Sequence, residues 1–205
     1  MWIVLAVVAS GWLWGCGNGE PEDDAGAPFD SLSLVLERWW KDSLFMHSPD
    51  SPIPEGDRPK FQGLSYYPPA AEFVLPAVLQ KFEQPSIVEL PSTKSGGVHR
   101  MVLYGVFHVA WQDTVFQLTA YKLLGAQGDI LFVPFKDSTT GHETYEGGRY
   151  LELPEVDGEE YWLDFNRAYH PYCAYNPAYA CPLVPPENVL LIPVRAGERL
   201  PTGKR

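Results

Sequence analysis

The stretch HRMVLYGVFHVAWQDTVFQLTAYKL, His99 to Leu123, decides the architecture. Two runs rich in β-branched and aromatic residues, His99 to Trp111 and Thr114 to Leu123, flank the two-residue turn Gln112-Asp113. That is the pattern of an antiparallel hairpin. Within the second run Val115, Gln117, Thr119 and Tyr121 fall on one side and Phe116, Leu118 and Ala120 on the other, the period-2 alternation of a strand.

Working outward, Glu72 to Gln80, Asp129 to Phe135, Arg149 to Leu153, Tyr161 to Phe165 and Val189 to Val194 read as further strands. Gly125-Ala-Gln-Gly128 and Val156-Asp-Gly-Glu159 supply short links. Consecutive strands with tight links favour a meander, and a meander this long curls until its edges meet. The expected fold is mainly β: an antiparallel meander closing into a calycin-like barrel or half-barrel. One N-terminal helix is expected from Asp30-Ser31 to about Phe45, plugging or covering one opening, with Leu32, Val35, Leu36 and Trp39 as an apolar stripe facing the core. A parallel α/β fold is disfavoured, because no second strong helix separates the strands.

The N-terminus reads differently. Trp2 to Trp14 is an uncharged apolar run, short for a mature membrane span and suited to a signal peptide over residues 1–15. It ends in Leu13-Trp14-Gly15-Cys16, which resembles a bacterial lipobox and implies lipidation of Cys16. Residues 16–28 are acidic and rich in Gly and Pro, the composition of a flexible tether. Its twelve residues after Cys16 would reach about 40 Å if extended. Residues 29–205 form one β-rich domain of ordinary size. The expected location is the cell envelope, lipid-anchored and periplasm-facing or on the outer membrane. A formal charge of −11 argues against nucleic acid and against electrostatic adhesion to anionic lipid.

Two polar motifs carry what chemistry there is. The first runs from Phe135 to Tyr150 and holds Asp137, Thr139, Glu143, Tyr145 and Arg149 around Gly141, Gly147 and Gly148. The second holds Asp164, Asn166, Tyr169, Cys173 and Cys181 and runs on through Glu187-Asn188 to Glu198. Together they resemble the domain of unknown function 1684 family over residues 35–199. That resemblance implies relatives and domain extent, and no activity.

In a strand, Asp164 and Asn166 share a face with Trp162, so Arg149 facing Asp164 or Glu143 would form a buried pair. Such polar groups at a barrel mouth suit a small or amphiphilic ligand, with Asp137, Thr139, Glu143, Tyr145, Arg149, Asp164, Asn166 and Tyr169 as its contacts. The competing readings are three. The groups satisfy one another; or Glu143 and Asp164 perform acid–base chemistry beside Arg149; or the chain is a structural lipoprotein that binds nothing. No G-x-S-x-G, HExxH, P-loop or GxGxxG motif is present, and no cofactor is expected. Cys173 and Cys181, eight positions apart in a Pro-rich loop of an exported chain, suggest a disulfide bracing a lid across the barrel mouth. Free buried thiols, or zinc held by His170, Cys173 and Cys181, are the other options for them, the zinc site lacking a fourth ligand.

Overall fold

The computed structural model describes residues 29–124 and 129–201. The signal peptide, Cys16, the tether and the Gly125–Gly128 link fall outside the described residues.

Helix α1 spans Ser31–His47, and the strands are β1 (Val74–Pro91), β2 (Val98–Trp111), β3 (Thr114–Leu123), β4 (Ile130–Phe135), β5 (Arg149–Pro154) and β6 (Glu160–Asp164). They form one antiparallel sheet in the order β5-β4-β3-β2-β1-β6. The sheet nearly closes into a barrel. The edge strand β5 meets the chain just beyond β6 where Tyr150 and Tyr169 exchange both backbone hydrogen bonds, at 2.9 and 3.0 Å. The β2–β3 hairpin turns at Gln112, whose φ of 53° is left-handed, and pairs Trp111 with Thr114.

The barrel interior is filled. Leu79, Phe107, Val109, Leu118, Leu131 and Val133 are wholly buried in one apolar cluster with residues from all six strands. Gly105 lies where the β2 registers slip, and a Cβ there would come within 2.6 Å of the Gln80 carbonyl oxygen. That close approach lets β1 and β2 bend tightly around the core.

Three expectations about elements need correction. First, β1 does not stop at Gln80. After an irregularity between Lys81 and Ser86 it resumes pairing with β2 as far as Pro91, and Pro85, which has no N–H to give, sits inside the irregularity. Second, Val189 to Val194 is not a strand. It meets the chain beyond β4 in a single parallel bridge, Lys136 N to Asn188 O (3.0 Å) and Leu190 N to Lys136 O (2.8 Å), and in one further bond from Ser138 N to Ile192 O (3.1 Å). Pro193 has no donor to extend that contact. The segment still buries Leu190 and Val194 in the core.

Third, the apolar stripe of α1 faces outward. Leu32, Val35, Leu36 and Trp39 are exposed, and the helix buries Leu34 and Phe45 instead. Polar hooks set this orientation. Arg38 donates to the carbonyls of Tyr67 (2.9 Å) and Asn166 (3.3 Å), and Lys41 reaches Glu198 at 2.6 Å. The N-cap is as the sequence indicates, with Asp30 accepting from the N–H groups of Leu32 and Ser33.

Candidate functional site

The residues expected to converge separate into five places. Asp137, Thr139 and Arg149 form a sealed cluster. Arg149 lies on the same face of β5 as Leu151 and Leu153, so its stem enters the end of the barrel and its guanidinium lies over the Phe135 ring. One of its nitrogens donates to Asp137 at 2.6 Å and to the Val194 carbonyl at 2.7 Å. The other donates to the carbonyls of Ala196 and Glu198. The pair is 0–1 % exposed, so no guest reaches it.

Asp137 accepts in addition from the Thr139 N–H (2.6 Å) and hydroxyl (2.5 Å), and Thr144 completes the cluster at 3.1 Å from the Thr139 hydroxyl. Gly148, at φ +91°, is demanded here: a Cβ would sit 2.6 Å from the Phe135 carbonyl oxygen. Arg149 therefore pairs with Asp137, not with Glu143 or Asp164. What it does is fasten residues 194–198 across the barrel end as a stopper.

Glu143 lies outside that seal. It receives two hydrogen bonds from Arg195, 2.8 and 3.1 Å, and one from the Tyr67 hydroxyl at 3.0 Å. The Arg195 hydrogen bond holds its carboxyl below the usual range, the opposite of the shift a general acid needs. Burial, then the neighbouring Glu143, pushes Tyr67 up to about 12. Asp164 caps the turn Phe165–Arg167 through the Asn166 N–H and also binds Arg167. Asn166 pairs like a strand residue with Ala70, accepting from its N–H (2.9 Å) and donating to its carbonyl (2.8 Å).

Tyr145 and the cysteines form the fourth place. The Tyr145 N–H donates to His170 Nε2 at 3.2 Å, and its hydroxyl faces Cys173 Sγ at 3.9 Å. Cys173 and Cys181 are both free, which corrects the expected disulfide. The Cys173 N–H donates to Cys181 Sγ at 3.3 Å, and burial pushes the Cys181 thiol up to about 11, so it keeps its proton. The loop is braced instead by backbone bonds to the end of β1, Thr93 N to Cys181 O (2.8 Å) and Leu183 N to Pro91 O (2.7 Å). It covers the outer face of the sheet, where Cys181 packs with Leu90, Met101, Tyr121, Phe132 and Tyr150, and not the barrel mouth. Among the described residues, no group of three or more His, Cys, Asp or Glu side chains is placed to hold a metal.

Of the expected contacts, Asn166 and Tyr169 share a small hollow of about 150 Å³ beside α1, and Tyr169 also lines a larger one. This larger space of about 520 Å³ lies outside the barrel, between the sheet face and the Tyr172–Pro182 loop. Its walls include Met101, Leu123, Phe132, Tyr150 and Tyr179, with Lys41 and Glu152 as charged groups. Tyr169 donates to Glu152 at 2.6 Å, and the Lys41 ammonium sits 4.6 Å above the Tyr169 ring. A second hollow of about 830 Å³ is lined mostly by loop residues, among them Phe61, Gly63, His170, Tyr175 and Arg199.

Several residues that matter here carried no clear sequence signal. Glu198, 1 % exposed, gathers Lys41 (2.6 Å), the His170 N–H (2.8 Å) and the Tyr175 hydroxyl (2.5 Å). Asn188 is wholly buried and fills a gap in the sheet: β3 and β4 share one paired position, Tyr121 with Phe132. Its amide accepts from the Thr119 N–H (2.7 Å) and donates to the carbonyls of Thr119 (2.9 Å) and Pro134 (2.7 Å). Both sit in the second polar motif, but only the fold shows what they hold together.

The solution structure of the uncharacterized protein from gene locus rrnAC0354 of Haloarcula marismortui is similar, at 37 % identity and a TM-score of 0.68. The match covers 84 % of this chain and 95 % of that one. No curated protein matches the chain. The family model described as protein of unknown function (DUF1684) matches residues 59–199, and the chain belongs to that family.

Proposed function

We propose that the chain is a lipid-anchored envelope protein that binds a small amphiphilic ligand in the tyrosine-lined hollow beside Tyr169. The observation that carries this reading is the make-up of that hollow. Its size falls within the ~300–1,000 Å³ of ordinary ligand sites, and such sites are mostly apolar with a few placed polar groups. Much of its wall stands on paired strands, so it keeps its shape without a guest. Aromatic faces suit an acyl chain or a ring, and the ammonium of Lys41, 29 % exposed, has donors beyond its bond to Glu198 that an anionic head can use. The larger hollow is walled by loops and has no comparable aromatic face. Anchoring at Cys16 is supported by the lipobox-like sequence alone.

A thermal-shift series with medium-chain fatty acids and small aromatic acids tests the binding. At least one class is expected to raise the melting temperature of the native chain. Leu123→Trp, at a partly exposed wall position, should fill the hollow and abolish that rise with the fold intact. If neither class shifts the wild type, or the shift survives Leu123→Trp, the hollow is not a binding site.

A further inference from the structure

Helix α1 is amphipathic in the reverse sense from a core helix. Leu32, Val35, Leu36, Trp39 and Trp40 are each 50–68 % exposed. At 3.6 residues per turn they occupy one arc of about 140°. No Asp, Glu, Lys or Arg falls within it. The helix's charged groups all lie off this arc and bind the protein. Glu37 pairs with Arg167, Arg38 holds two carbonyls, Lys41 holds Glu198, and Asp42 accepts from the Leu64 N–H at 2.8 Å. The polar edge is thus committed inward, and a face that water solvates poorly is presented outward from Leu32 to Trp40.

We infer that this face lies in the interfacial layer of a lipid bilayer, with α1 parallel to the membrane plane. The inference rests on the anchoring at Cys16 proposed above. Three observations select lipid as the occupant. Fourteen residues separate Cys16 from Ser31, so an anchored chain keeps the start of α1 within about 50 Å of the bilayer and at high effective concentration there. Adjacent tryptophans with leucine neighbours are the side chains that settle at the headgroup boundary, each ring having an apolar body and one N–H. The charge of −11 disfavours a second copy, since two such chains repel, and it removes electrostatic attraction as a route to the membrane. An apolar face supplies the contact that charge cannot. At 17 residues, with four charged side chains along one edge, α1 is no membrane span. It would lie on the surface.

Anchoring is measured first, by the mass of the N-terminal peptide and partition into a detergent phase, so a failure at Cys16 is seen separately. The full chain is then reconstituted in phosphatidylcholine vesicles carrying acyl-chain-brominated lipid, and tryptophan fluorescence is followed. The lipid quencher is expected to remove the emission of Trp39 and Trp40, and Trp39→Phe/Trp40→Phe should abolish the quenched component. Leu32→Glu/Leu36→Glu should do the same while leaving thermal unfolding unchanged, because both positions are already exposed. If Trp39 and Trp40 are quenched by aqueous iodide and not by lipid, the inference is overturned. A dimer that shields them from both quenchers overturns it equally and makes a second copy the occupant.

Discussion

Two ion pairs flank the glycine turn after β4, and they differ in almost every physical respect. Arg149–Asp137 is sealed, with exposures of 1 and 0 %, and is surrounded by hydroxyls and carbonyls that use most of the remaining hydrogen-bonding capacity. Arg195–Glu143 is 56 and 36 % exposed and bathed in solvent. Both carboxylates, Asp137 and Glu143, come from one short run. Composition therefore says that charge is present and says nothing of whether a ligand can reach it. The sealed pair is architecture, since it ties the chain beyond Val189 to the barrel end. The exposed pair tethers the same C-terminal segment from outside, through a bond that water screens.

The contrast predicts a steep ordering of effects. Arg149→Met leaves the buried Asp137 carboxylate without its cation and frees three carbonyls, and should destabilise by about 3–5 kcal/mol in denaturant unfolding. A loss much smaller than that would mean the seal admits water. Next comes His170, buried against Glu198 and held neutral, with its pKa lowered from 6.5 to about 4, chiefly by burial. Below pH 6.5 the unfolded chain takes up a proton that the folded chain refuses, so stability falls as pH drops from about 6.5 to about 4. The loss approaches 3 kcal/mol at about 1.4 kcal/mol per unit. His170→Asn should flatten that part of the pH profile, and an unchanged slope would assign it to other groups. The smallest effect belongs to the exposed pair. Arg195→Ala should leave the unfolding midpoint near that of the wild type while the Glu143 carboxyl, followed by NMR, rises towards the ordinary range. A large loss of stability there would erase the distinction between the two pairs.

Much of the fold was legible because strand alternation and turn residues are local signals. The hairpin around Gln112-Asp113, the helix cap at Asp30 and five of the six strands could be read directly. The extension of β1 past Pro85 could not, because a proline reads as a strand stop, whereas the irregularity between Lys81 and Ser86 takes it out of the ladder and the facing start of β2 resumes the pairing. The direction α1 faces was hidden for a similar reason. Its spacing defines an apolar stripe, but Arg38 and Lys41 find partners at Tyr67, Asn166 and Glu198 that no local pattern announces. The candidate site was the least legible. Asp137, Glu143 and Asp164 are alike as residues, and only tertiary placement makes one a buried brace, one a surface partner and one a turn cap. Tyr169 stood out as a member of the second polar motif, whereas Lys41, Glu152 and Leu123 come to the same hollow from three separate elements.

The amide of Asn188 has a further consequence for the order of assembly. The seam between the third and fourth strands stays open until a residue near the end of the chain arrives to stitch it. An incomplete polypeptide therefore exposes two half-matched edges, each ready to recruit another such fragment. That delay favours holding the nascent chain unfolded until the segment after β6 has been made, and loss of that segment should yield aggregates, not a smaller barrel.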